Sequence, residues 1–166
     1  MGWEMFIRAR PDAAREVIDI GFQVGLHTAG PYPRRLCDMV GAGLADWVGL
    51  DIKALPEHYG QVVGREGAAA RAWESLEVLV EAAGRGGPDF EVRTTVVPGD
   101  VTADDAVEVA RRVHAAGARV YALQQARSEG TSGEFDVVAP GWDGTCERMA
   151  ERIEALGWDR FTYRPA

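Results

Sequence analysis

Four short apolar runs, at residues 22–27, 47–52, 90–97 and 119–124, alternate along the chain with segments of helical periodicity. Strands separated by helices cannot pair as hairpins; they pair in parallel, joined by right-handed crossovers. That restricts the chain to an α/β architecture with about four parallel βα units. Two arrangements satisfy it, an open doubly wound sheet and part of a β/α barrel. The chain has 166 residues, 46% of them apolar and 27% charged, enough for one domain with a core of its own.

The helical segments follow from spacing and punctuation. Pro11 and Asp12 open a helix carrying Ala14, Val17 and Ile18, which Gly21 closes. Residues 34–40 read as a short helix with Leu36, Met39 and Val40 on its apolar side. Residues 54–67 are irregular, and residues 68–83 repeat Trp73, Leu76, Leu79 and Val80 at helical spacing. Thr102 is expected to cap the next helix, with Asp104 and Asp105 in its first turn and Gly117 at its end. A Gly-rich polar loop is expected over 128–143. A last helix follows over 145–156, and residues 161–163 form a short terminal strand or tail.

The run Trp47-Val48-Gly49-Leu50-Asp51-Ile52-Lys53 ends in two charges that share a face, since side chains two apart on a strand point the same way. Folding does not require charges there, whereas the C-terminal ends of parallel strands are where such proteins bind ligands. The other strand ends also carry polar groups: His27 and Thr28, Arg93 and Thr95, then Gln124, Gln125 and Arg127. Asp51 and Lys53 can pair with each other. Arg93 sits inside a β-branched strand and needs an anion, which Asp51 or a ligand carboxylate can supply. Of Gln124 and Gln125, only one faces a ligand. Thr28 caps the turn before Gly30. His58 reads as a loop residue and His114 as a solvated helix residue.

Composition removes several functions. A net charge of -8 and a pI near 4.9 exclude an extended basic groove for nucleic acid or for an anionic membrane. Two cysteines, Cys37 and Cys146, give neither a metal-ligand spacing nor a disulfide framework, and read as free thiols of a cytoplasmic protein. The N-terminus lacks the apolar stretch of a signal peptide, and no run is long enough to span a membrane. Phosphate-loop, nucleophile-elbow and His-Glu-x-x-His motifs are all missing from the sequence, and Gly41-Ala42-Gly43 is a turn.

The ordered series Leu26-His27-Thr28-Ala29-Gly30, Trp47-Val48-Gly49-Leu50-Asp51-Ile52-Lys53-Ala54, Val92-Arg93-Thr94-Thr95-Val96-Val97-Pro98-Gly99 and Leu123-Gln124-Gln125 resembles the radical S-adenosylmethionine activating enzymes. The likeness is strongest to the anaerobic ribonucleoside-triphosphate reductase activating proteins, relatives of the pyruvate formate-lyase activating enzyme. It runs from about Val17 to the C-terminus, and residues 1–10 fit it poorly. The resemblance implies an incomplete β/α barrel, a four-iron four-sulfur cluster and S-adenosylmethionine as cofactors, and a glycyl radical enzyme as partner. By the same resemblance Asp51, Lys53 and Arg93 line the cosubstrate pocket. Gln124 lies beside them, and Thr28, the Gly49 carbonyl and Asp51 match a monovalent-cation site in which His27 replaces an Asp.

The departure from that family is as informative. Its Cys-x-x-x-Cys-x-x-Cys loop and its Gly-Gly-Glu are not in this sequence. The chain therefore looks like strands three to six of a six-stranded barrel. It is expected to form no cluster, to be inactive alone, and to self-associate through the open edge of its first strand. The rival expectations are a non-catalytic half-barrel binding module and an unrelated open α/β enzyme, the latter favoured if the first strand lies centrally in the sheet.

Overall fold

The computed structural model describes residues 11–127 and 139–166. These residues form a five-stranded sheet in the order β1-β2-β3-β4-β5, with every neighbouring pair parallel. The strands are β1 (Gly25–Thr28), β2 (Trp47–Asp51), β3 (Asp89–Val96), β4 (Val120–Gln125) and β5 (Arg160–Arg164). The helices are α1 (Pro11–Asp19), α2 (Pro33–Gly41), α3 (Tyr59–Val63), α4 (Ala68–Ala83), α5 (Val101–Ala115) and α6 (Trp142–Glu154). Because the strand order never reverses, the sheet has no switch point of the doubly wound kind. It has the order of a partial β/α barrel, with β1 at one edge.

Right-handed crossovers repeated in one direction put the connecting helices on a single face. Burial follows the same rule. Val48, Leu50 and Ile52 of the second unit, Val92 and Val96 of β3, and Tyr121 and Leu123 of β4 have no solvent exposure. They form one core with Leu76 and Leu79 of α4, Val109 and Val113 of α5, and Ile153 of α6. The alternate residues face the other side, and among the described residues no helix covers them: Gly49, Asp51, Glu91, Arg93, Thr95, Gln124 and Arg164. A second, small core under α1 joins Ala14 to Val24, Met39 and Leu44. No described helix is long and apolar enough to cross a membrane.

Several boundaries differ from expectation for local reasons. β1 starts at Gly25, because residues 20–22 are used to end α1: Gly21 takes φ 90°, and its N–H donates to Ile18 O at 2.8 Å. The irregular stretch contains α3, and α6 begins at Trp142 instead of Thr145. Residues 160–164 are a full strand, one more than four βα units supply. The cap of α5 is Asp100, whose carboxylate accepts from Thr102 N at 2.8 Å; the Thr102 hydroxyl instead accepts from Val97 N at 3.1 Å. His114 is only partly exposed. Its ring packs edge-on against Trp158 with centroids 4.8 Å apart, and Nε2 is buried without a hydrogen-bond partner. Residues 1–10 and the 128–138 part of the expected loop lie outside the described residues.

Candidate functional site

The polar face of the sheet is built on β3, whose residues Glu91, Arg93 and Thr95 alternate with the buried Phe90, Val92, Thr94 and Val96. Parallel pairing sets Asp51 beside Arg93 and Thr95 beside Gln124. Two groups result.

The first is centred on Arg93. Its Nε donates to Asp51 Oδ1 at 2.9 Å, Nη2 lies 2.9 Å from the same oxygen, and Nη1 is 2.8 Å from His27 Nδ1. Arginine can only donate, so in this contact Nδ1 of His27 is the acceptor. The guanidinium is largely shielded, at 13% side-chain exposure, and therefore requires this neutralisation. The expected choice between Asp51 partners is thereby decided: Asp51 serves Arg93, not Lys53. Among the described residues the Lys53 ammonium has no ion pair.

What lets Arg93 reach His27 is Gly49. A Cβ there would stand 2.7 Å from Trp47 Cη2, 3.0 Å from Arg93 Cζ and 3.0 Å from His27 Nδ1. The missing side chain leaves a slot in which the guanidinium crosses β2. Trp47 closes one side of it, packed edge-on to His27 at 5.2 Å.

The second group joins β3, β4 and β5. Arg164 Nη2 donates to both carboxylate oxygens of Glu91, at 2.9 and 3.0 Å, and Nη1 donates to Gln124 Oε1 at 2.7 Å. Gln124 Nε2 in turn donates to Thr95 Oγ1 at 3.2 Å. Glu91 is only 3% exposed, so Arg164 is its obligatory counter-charge. Sequence reasoning missed Glu91, Arg164 and the role of Gly49.

The loop between β2 and α3 is fixed from below. Asp105, 4% exposed, accepts from Leu55 N at 2.9 Å and faces His58 Nδ1 at 2.9 Å. His58 is a loop residue, as expected, and Asp105 anchors it there. Tyr59 is buried and its hydroxyl accepts from Lys53 N at 3.4 Å, which holds the start of the Lys53 segment. Burial first, and the nearby Asp51 charge, raise the Tyr59 hydroxyl above the usual range, so it stays protonated.

The remaining sequence candidates divide. His27, Asp51 and Arg93 come together, and Gln124 belongs to the neighbouring group on the same face. Thr28 does not join them: it sits one residue on from His27, so it points to the helix side, and its hydroxyl accepts from Gly30 N at 3.0 Å, the expected turn cap. Gln125 also faces away, donating to Tyr163 Oη at 2.6 Å and to Asp143 Oδ1 at 3.2 Å. Arg127 is exposed and, among the described residues, its side chain reaches the Pro165 carbonyl at 3.5 Å. A groove of about 730 Å³ lies at the opposite, N-terminal end of the strands, between the C-terminal ends of α2 and α4, with Cys37, Asp46 and Arg85 on its walls. Cys146 is buried under α6, and burial pushes its thiol up to about 11. Among the described residues no three His, Cys, Asp or Glu side chains converge as a metal site.

Fold and site together define an α/β protein with a singly wound parallel sheet and a charged open face at its strand ends. No protein-family model matches the chain, and no curated protein is similar to it in sequence.

Proposed function

We propose that the open face is the cosubstrate wall of a radical S-adenosylmethionine activating protein, one that serves a glycyl radical enzyme such as anaerobic ribonucleotide reductase. The observation that carries this reading is the Asp51–Arg93–His27 cluster, with Lys53 two residues on from Asp51, at the C-terminal ends of sequentially ordered parallel strands. S-adenosylmethionine carries a sulfonium, an ammonium and a carboxylate. Asp51, still a third exposed beside Arg93, offers negative charge to its cationic parts, whereas Glu91 is buried under Arg164. Arg93 is already committed to Asp51 and His27, which leaves Lys53 as the cation for the carboxylate.

The chain's own residues do not fit an iron–sulfur cluster. Three thiolates must converge, whereas the two here lie apart, Cys37 exposed on α2 and Cys146 buried on α6. The part of the reaction these residues supply is binding and orientation of the cosubstrate, held in advance by the fixed Arg93 fork. A reducing cytoplasm suits both the chemistry and the free thiols.

Titration of S-adenosylmethionine into the isotope-labelled protein, followed by NMR, tests this. Weak binding of about millimolar affinity is expected, with amide shifts centred on residues 49–53 and 91–95. Lys53→Ala abolishes them. No shifts up to about 10 mM, or shifts unchanged by Lys53→Ala, refute the reading. The coding DNA upstream of the Met1 codon supplies an independent check: an in-frame Cys-x-x-x-Cys-x-x-Cys and Gly-Gly-Glu there support it.

A further inference from the structure

The groove at the N-terminal ends of the strands takes no part in the charged open face. Its volume of about 730 Å³ is that of a small-molecule site. Part of its wall is apolar, from Val40 on α2, Val78 and Ala82 on α4, and Pro88. The rest carries Asp46, Glu81 and Asp89. Among the described residues Arg85 is the cation on this wall, and Glu81 Oε1 already holds its Nη2 at 2.6 Å. Asp46 and Asp89 are exposed and stand in no ion pair among the described residues.

Two helix ends add to this charge. The last turns of α2 and α4 border the groove, Val40 and Gly41 from one, Glu81 and Ala82 from the other. A helix C-terminus carries roughly half a negative charge and is stabilised by a basic side chain. α5 and α6 supply one, Arg112 and Arg152, whereas the last turns of α2 and α4 hold no basic residue. Two uncomplemented helix ends and two carboxylates without a counter-charge therefore border one partly apolar groove.

We propose that this groove is a second ligand site, and that its ligand is a small aliphatic amine bound in its ammonium form. The ammonium supplies the cation that Asp46, Asp89 and the helix ends lack. The alkyl body covers Val40, Val78 and Ala82, which favours such a cation over a hydrated metal ion. The site lies at the far end of the strands from Asp51 and Arg93, and the inference is independent of the cosubstrate reading.

Hexylamine titrated into the isotope-labelled full chain, followed by NMR, tests it. Saturable binding of about millimolar affinity is expected, with amide shifts confined to residues 40–46 and 78–89. Hexanol and hexanoate share the body without the positive charge and are expected to bind about tenfold more weakly or worse. Asp46→Asn keeps an acceptor for Val24 N, and together with Asp89→Asn it is expected to weaken hexylamine about fivefold. Arg85→Ala frees Glu81 and is expected to tighten binding about two- to fivefold, a gain that a damaged fold does not give. Cys37 is exposed on the wall and Cys146 is buried, so a thiol reagent reads occupancy directly. Hexylamine at about ten times its dissociation constant slows Cys37 labelling about tenfold. No shifts up to about 10 mM, shifts spread over the acidic surface, hexanoate binding as well as hexylamine, no tightening in Arg85→Ala, or unaltered Cys37 labelling overturns the proposal.

Discussion

Replacing Gly49 by Ala puts one methyl group into a space that three side chains already use. The new carbon would sit 2.7 Å from Trp47 Cη2 and 3.0 Å from both Arg93 Cζ and His27 Nδ1. Ordinary contacts between such atoms fall at about 3.5–4.0 Å. Two effects oppose each other. Gly49 lies in a regular strand and is not among the glycines with positive φ, so the backbone accepts Ala. A compatible Gly→Ala change stabilises by about 0.4–1 kcal/mol through the unfolded chain. Overpacking costs about 1–3 kcal/mol. The mobility of the neighbours decides the sign. Arg93 is held at 2.9 Å by Asp51 and at 2.8 Å by His27, and Trp47 rests against His27, so none can yield without disturbing another. The net expectation is destabilisation by about 1–2 kcal/mol. Equilibrium unfolding in urea reads this as a lower midpoint at unchanged slope. Trp47→Phe removes the ring atom at 2.7 Å. Combined with Gly49→Ala, it is expected to recover part of the loss, as a double-mutant coupling of about 0.5–1 kcal/mol. A Gly49→Ala protein as stable as the parent, or more so, refutes the claim that this position is a slot for Arg93.

Arg164→Ala leaves Glu91 buried without its counter-charge. Because Arg164 is itself 37% exposed, the cost is expected at about 1–3 kcal/mol, short of that for a fully buried pair, and thermal unfolding of the Arg164→Ala and Glu91→Gln/Arg164→Ala proteins checks it by the second change recovering stability. Asp105→Ala strips the acceptor from Leu55 N and the partner from His58, with an expected loss of about 1–3 kcal/mol and faster hydrogen exchange at Leu55 than at β3 amides. The Cys146 thiol, raised from 9.0 to about 11 by burial, contributes stability that is complete below pH 9 and is lost as pH rises through about 11, because the unfolded chain releases that proton first. Stability measured over that window is expected to fall less in Cys146→Ala, and at pH 8 a thiol reagent is expected to label Cys37 but not Cys146 until the protein is unfolded.

The helix α4 was legible in full because Trp73, Leu76, Leu79 and Val80 mark a face that needs no tertiary information. The strands were legible as apolar runs, and the polar residues at their ends stood out against them. Partnership was less so. Asp51 had two cationic candidates in the sequence, and only the register of β2 on β3 selects Arg93. The Glu91–Arg164 pair joins residues 73 positions apart, so it depends on β5 existing and lying next to β4, which three residues of tail could not establish. Gly49 read as an ordinary member of an apolar strand, since the side chains that need its space come from β1, β2 and β3 together. Asp105 read as a charge favoured at a helix start, whereas burial turns it into the acceptor that ties down a distant loop. In each of these cases the missing information was which neighbour a residue has, and strand order supplies it.

That strand order has a consequence for how the molecule is made. Each strand pairs with the strand that precedes it in the chain, from Leu26 with Val48 through to Tyr121 with Phe161. As the polypeptide leaves the ribosome, each new strand finds its template already synthesised, and no pairing waits for a segment still to come. The widest gap to be closed is that between β2 and β3, where Val48 meets Phe90 across α3 and α4. The β4–β5 pairing, Val120 with Arg160, spans almost as many residues. Because closure entropy grows only with the logarithm of length, the two steps cost nearly the same, with α3 and α4 shortening one span and α6 the other.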